Sequence, residues 1–261
     1  MSDALFEVPD RISTVPPHQG IIAIDISDYS ARSSVEQRVI AEGLEELLET
    51  SFARARLTDV WAARAFPSQR GDGYSFGFDP GRMPEVIASW LAELQHTLSS
   101  IRPPALQIRM QVALHIGPLP ADGRKADGAG TARNDTARLL NSRVIKALIA
   151  KADPEVTRVV AILSEHCYEV AVVSGHALPV GYFRKVVATV QDKGFEKTGW
   201  IHIPCPSANL LDERLLGKMD AHAHETDEQA LRDNTLSRTI NTIDQGNLNS
   251  GTIHGDQTFR S

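Results

Sequence analysis

Cysteine is nearly absent. Cys167 and Cys205 are the only two in 261 residues, too few for a disulfide framework and without metal-ligand spacing. No apolar run approaches the roughly 18 residues of a membrane helix. The opening MSDALFEVPD has neither a basic nor an apolar leader segment, which argues against secretion. A basic excess is missing as well. Against 27 Lys and Arg stand 33 Asp and Glu, a net charge of −6, which speaks against nucleic acid as a partner. What is present is 42 % apolar and 23 % charged residues, enough for an ordinary core and incompatible with wholesale disorder. The expectation is a soluble, cytoplasmic protein of one large domain, or one domain with an appendage, that meets no membrane.

The chain starts its regular structure after Pro16 and Pro17. Residues 20–26, GIIAIDI, read as a buried strand. A helix should follow, with Val35, Val39, Ile40, Leu44, Leu47, Leu48 and Phe52 on one face and a cap at Ser33 or Ser34 answered by Glu36 or Gln37. Residues 57–66 and 73–79 are predicted as two strands around the turn Ser68-Gln69-Arg70-Gly71-Asp72-Gly73. A second helix over 82–100 carries Val86, Ile87, Trp90, Leu91, Leu94 and Leu98, and Pro103 and Pro104 stop it. Residues 107–116 alternate apolar and polar as a half-exposed strand does. A loop over 117–129 then leads to one helix over about 130–151. Short strands at 159–163, 186–190 and 200–203, with a helix near 164–173, complete the pattern. The order βαββαβ followed by αββ predicts an α+β fold with helices on one face of a largely antiparallel sheet. Beyond about 206 the composition turns polar, and from Asn241 it is rich in Asn, Gln, Gly and Thr.

Three segments can carry chemistry. In Ile24-Asp25-Ile26-Ser27-Asp28-Tyr29-Ser30, Asp25 lies opposite Ile22, Ile24 and Ile26, where a carboxylate is costly unless paired or metal-bound. Arg70-Gly71-Asp72-Gly73 puts a second carboxylate at a hairpin tip among small neighbours. Gly130 through Arg138 opens a helix on which Asn134 and Arg138, four apart, share a face. Each segment alone has a plain structural reading as a solvated acid, a turn or a helix surface. Their order and spacing together do not. If the first strand lies beside the hairpin, Asp25 and Asp72 form a two-carboxylate cation site completed by substrate phosphates. Arg138 suits a transition state gaining negative charge on phosphorus, and Asn134 can orient a ribose.

This combination resembles the catalytic domain of class III nucleotidyl cyclases, over residues 18–204. The stretch Ala23–Ser30 matches that family's first-strand metal motif, and Arg70–Gly73 its hairpin motif. Leu114-His115-Ile116-Gly117-Pro118 is similar to the strand before the dimerisation loop, and Gly130–Arg138 to the Gly-x-x-x-Asn-x-x-x-Arg helix entry. The resemblance implies a ferredoxin-like βαββαβ cyclase-homology fold with an additional αββ part. It implies two Mg²⁺ or Mn²⁺ ions per site held by Asp25, Asp72 and the Ile26 position, with Asn134 and Arg138 as catalytic residues. It also implies a homodimer with shared active sites, the aspartates coming from one chain and the Asn/Arg pair from the other. Tyr29, Ser68, Arg70, Asp127 and Lys193 are the substrate-binding positions it suggests.

The sequence departs from the family at the base. Adenylyl cyclases carry Lys three residues before the hairpin Gly, where this chain has Ser68; Asp127, three before Gly130, remains a candidate contact. The short length, the Arg-Gly-Asp-Gly hairpin and Ala137-Arg138-Leu139-Leu140 more closely resemble the pyrimidine cyclases of bacterial Pycsar anti-phage systems. That implies UTP, or less readily CTP, as the nucleoside triphosphate substrate and a cyclic-nucleotide-responsive effector protein as partner. A purine cyclase and an idle interaction module are the alternatives. Residues 205–240 read as a polar linker, with His222-Ala223-His224-Glu225 a solvated cluster lacking a third ligand. The 241–261 tail is either a plain polar tail or, by its likeness to short amyloid-signalling motifs, a recruiter of a partner bearing a similar motif.

Overall fold

The computed structural model describes residues 15–101, 106–121, 123, 127–190 and 194–210. Chain contacts divide the protein into residues 1–213 and 214–261. Most of the polar linker, the His222–Glu225 cluster, the tail and Lys193 lie outside the described residues.

Seven strands form one sheet. They are β1 (His18–Ile26), β2 (Ala65–Arg70), β3 (Gly73–Phe78), β4 (Met110–Pro118), β5 (Val159–Ser164), β6 (Arg184–Val190) and β7 (Phe195–His202), in the order β2-β3-β1-β4-β5-β7-β6. Only β4 and β5 run parallel. The helices are α1 (Ser34–Arg54), α2 (Thr58–Ala62), α3 (Met83–Glu85), α4 (Leu91–Ser99), α5 (Thr131–Leu140), α6 (Arg143–Lys151) and α7 (Glu165–Tyr168). This is a mixed α+β architecture, as the sequence pattern predicts and the cyclase resemblance implies. Among the described residues no helix is long and apolar enough to cross a membrane.

The main core lies on one face of the sheet. Ile22, Ile24 and Ile26 of β1 point into it with Val112 and Leu114 of β4, against α1 and α4. Trp90 is fully buried there, stacked on Phe52 with ring centroids 4.6 Å apart, and its indole N–H donates to Ser51 Oγ at 2.8 Å. The α1 cap is Ser33, reciprocated by Glu36 in a capping box. The buried row of α1 is Ile40, Leu44, Leu48 and Phe52; Val35 and Val39, predicted to share it, are 75 % and 50 % exposed. Four-residue spacing keeps a side chain close to one line on a helix, and these two valines fall off it.

Other expectations are corrected by tertiary context. Part of 57–66 is helical, as α2, because Val60 and Trp61 bury themselves beneath α1 instead of pairing in the sheet. Strand β2 begins at Ala65 and is interrupted by a bulge before Ser68. The single helix expected over 130–151 is two, broken at Ser142, which is extended. There the Ser142 hydroxyl donates to Leu139 O at 2.7 Å, a carbonyl that a continuing helix would use, and the Asn141 amide joins its own backbone N–H on Ala137 O, at 2.9 Å. Helices cover both faces of the sheet instead of one. Ile21 of β1 packs with Leu119 and Ala132, the last on α5, away from the main core. That second layer also explains why β4 is buried on both sides, Gln111 included.

Candidate active site

Strand β1 delivers Asp25 to the face opposite Ile22, Ile24 and Ile26, as alternation requires. Asp25 pairs in register with Gly73 on one side and Gln111 on the other. The hairpin between β2 and β3 closes tightly, Arg70 opposite Gly73, with Gly71 at φ 60° allowing the turn. Asp72 therefore sits at a tip fastened to the end of β1, where the Ile26 N–H donates to Asp72 O at 3.2 Å. Ile26 itself is buried in the main core, so any part it takes in holding a cation falls to its backbone carbonyl.

The two carboxylates act on each other. Burial, then the Asp72 charge, push the Asp25 carboxyl up to about 6, while Lys146 on α6 opposes the shift. Across from Asp25, the Gln111 Oε1 is buried and accepts no hydrogen bond among the described residues. Repelling hard oxygens and an unsatisfied acceptor nearby are what a divalent cation, or a proton, would relieve. Among the described residues no three His, Cys, Asp or Glu gather to hold a metal. A cation here would thus have two side-chain carboxylates and draw its other oxygens from backbone, water or substrate. The donor set fits Mg²⁺ or Mn²⁺. Asp28, the other acid of this stretch, is engaged with Arg109 at 2.6 Å.

Helix α5 carries the second group. Asn134 is exposed, and Arg138 is half-exposed, 3.6 Å from Asp135 Oδ1 and 5.6 Å from the Phe195 ring. Asp135 is buried, and its other oxygen takes Lys197 Nζ at 2.6 Å. Asp135 thus anchors Arg138 to β7, a positioning role that spacing within the helix does not reveal. Beside it a cavity of about 340 Å³ is lined by His115, Asp135, Ser164, His166 and Lys197. The imidazole of His115 bonds Ser164 Oγ at 2.7 Å, and burial pushes it down to about 4. Among the described residues, no hydrogen bond or ion pair joins Asn134 or Arg138 to Asp25 or Asp72.

The remaining predicted positions scatter. The Tyr29 hydroxyl donates to Gln37 O at 3.0 Å, tying it to α1. Ser68 pairs with Ser75 across the hairpin, Arg70 is exposed at the tip, and Asp127 accepts from the Gly123 N–H at 2.7 Å. Sequence reasoning missed Gln111, Lys146 and Asp135, since only the folded sheet brings the first two to Asp25.

No family model matches the chain, and no curated protein does. Solved structures do. Two structures of a bacterial light-regulated adenylyl cyclase are each 12 % identical. One has TM-score 0.53 and covers 76 % of this chain and 55 % of its own; the other has TM-score 0.50 and covers 73 % and 53 %. An adenylate/guanylate cyclase/hydrolase from Silicibacter pomeroyi follows at TM-score 0.47 and 18 % identity, covering 72 % of this chain and 97 % of its own. The chain spans about half the length of the light-regulated structures, and what it shares with them is the fold.

Proposed function

We propose that this protein is a class III-type nucleotidyl cyclase that converts a pyrimidine nucleoside triphosphate, UTP, to its 3′,5′-cyclic nucleotide and pyrophosphate. The observation that carries the reading is the meeting of Asp25 and Asp72 at the β1 end, where burial first and the Asp72 charge second push the Asp25 carboxyl up to about 6. Such a pair, one carboxylate on an otherwise apolar strand and the other at a hairpin tip, suits a cation-bound triphosphate better than a structural role. Bound divalent ions would supply activation of the attacking hydroxyl and neutralisation of the leaving group.

The chain's own residues do the rest. Asp25 and Asp72 would hold the cations. Asn134 holds the ribose so that the 3′-oxygen lies in line with the phosphorus. As the 3′-O–P bond forms, the bond to the bridging oxygen breaks, pyrophosphate leaves, and the 3′-hydroxyl proton passes to solvent. Arg138, kept in place by Asp135, donates to the oxygens that gain charge in that step. The working unit in this reading is a homodimer with two shared sites, in which a second copy supplies Asn134 and Arg138; the lack, among the described residues, of any hydrogen bond or ion pair from these two to Asp25 or Asp72 of the same chain supports it.

Ser68 in place of a long donor, with the motif order, supports the pyrimidine substrate, and through it a second-messenger role in anti-phage defence with an effector protein downstream. Incubating the protein with ATP, GTP, CTP and UTP and Mn²⁺, followed by mass identification of products, tests this. Cyclic UMP is expected. Cyclic AMP or GMP alone would replace the pyrimidine assignment, and no cyclic product from any of the four would overturn the cyclase reading.

A further inference from the structure

Near the β2–β3 hairpin, on the Asp25 face of the sheet, an arginine, an aromatic ring and a hydroxyl converge. Arg133, next to Asn134 on α5, reaches across to β3, where its guanidinium donates to Ser75 Oγ at 3.1 Å. Ser75 pairs with Ala23 of β1 and with Ser68 of β2, so it lies two residues along the sheet from the Gly73–Asp25 pair. The same guanidinium stands 5.8 Å from the Phe66 ring.

Phe66 is held there under constraint. Its φ is 39°, a left-handed conformation that a bulky residue keeps only when its surroundings enforce it, and it sits at the β2 bulge. A Cβ at Gly77 would meet the Phe66 ring at 2.2 Å, and one at Gly128 would meet it at 2.6 Å. Two missing side chains thus make room for the ring, which nevertheless stays only half-buried. Bulges re-aim side chains in this way beside functional sites.

The charge pattern points to a ligand. The polar partner of Arg133 is a neutral hydroxyl, and the nearby charge is another cation, Arg70; burial and Arg70 together lower the Arg133 pKa. A partly desolvated guanidinium beside a second one is a good place for an electron-rich group.

Building on the cyclase reading, we propose that Phe66, Ser75 and Arg133 form the subsite that reads the nucleobase, selecting a base with a ring carbonyl oxygen over adenine. The guanidinium only donates, and among the described residues four of its five N–H groups remain after the bond to Ser75. A uracil carbonyl accepts such a donor, whereas the exocyclic amine of adenine presents another donor and is refused. The Phe66 ring offers an aromatic surface for the base, and the Ser75 hydroxyl has a lone pair left for a ring N–H.

The test is calorimetric binding of α,β-methylene UTP, α,β-methylene ATP and inorganic tripolyphosphate to the full-length protein with Mn²⁺. Wild type is expected to favour the UTP analogue over the ATP analogue by about tenfold or more. Arg133→Gln, which removes the terminal guanidinium donors and the charge, should weaken the UTP analogue about tenfold and leave tripolyphosphate within about twofold. Arg133→Lys should recover part of the loss. Unchanged UTP-analogue affinity in Arg133→Gln, an equal loss for all three ligands, or no base preference in wild type would each overturn the subsite. If base-selective binding depends on Arg133 but no triphosphate is cyclised, the subsite stands and the cyclase reading falls. If a triphosphate is cyclised and Arg133→Gln keeps the wild-type base preference, the cyclase reading stands and the subsite falls.

Discussion

The sharpest consequence of the Asp25–Asp72 pair concerns stability without metal. A carboxyl moved from 3.8 to about 6 carries about 3 kcal/mol of unfavourable free energy once ionised. Solvent reaches part of the group, and screening reduces this to roughly 1–2 kcal/mol. Asp25→Asn removes the charge and keeps the shape. At pH 8 without divalent cation the variant should melt above wild type, by about 2–8 °C at roughly 2–4 °C per kcal/mol for a domain of this size. The sign is set by protons. The folded state binds the Asp25 proton more tightly than the unfolded chain, so wild type recovers stability as pH falls through about 6. The two proteins should come most of the way together by pH 4, where Asp25 is protonated in the folded state and about 40 % so in the unfolded chain, and converge fully below it.

Cation reverses the order. Mn²⁺ at about a hundredfold over its dissociation constant adds about 2.7 kcal/mol to a protein that binds it. Wild type should gain that increment and Asp25→Asn should not; Asp72→Asn should lose the gain as well. Differential scanning calorimetry at pH 4, 6 and 8, with EDTA and with Mn²⁺, reads every arm. An Asn variant that melts below wild type at pH 8 in EDTA would refute the electrostatic reasoning. Equal gains from Mn²⁺ in all three proteins would refute the cation site.

Two further outcomes follow from the same geometry. Mixing Asp25→Ala with Arg138→Ala should restore product formation to about a quarter of wild type per subunit, because half of a statistical mixture is heterodimer with one intact site; parental activity alone in the mixture would exclude shared sites. His115, neutral because burial pushes it down to about 4, should make the fold acid-labile. The unfolded chain takes a proton near 6.5 that the folded chain refuses, so stability falls by up to about 3 kcal/mol as pH drops from 6.5 to 4. His115→Gln should flatten that slope in urea titrations at successive pH values, and an unchanged slope would remove His115 as its source.

Much of this protein was readable along the chain because its signals are local. Alternation in β1 assigned Asp25 to the face away from Ile22, Ile24 and Ile26, and the two glycines around Asp72 made a tight hairpin. The Ser33–Glu36 box marked the start of α1. Such features depend on neighbours a few residues away, where pleat, helical pitch and turn geometry leave little choice. The failures share one cause. Residues 57–62 carry strand-forming side chains yet coil into α2, because burying Trp61 against Phe52 and Tyr74 outweighs a weak local preference. The polar side of β4 did not announce that α5 and α6 would cover it. Gln111 and Lys146 reached Asp25, Asp135 came to hold Arg138 against Lys197, and Arg133 met Ser75 only when strands distant in sequence lay side by side. Composition and spacing determined which acids and cations the chain has to offer and on which faces they stand. The tertiary structure alone decided which of them face one another, since that is a matter of a few ångströms across the sheet, over which burial and charge act most strongly.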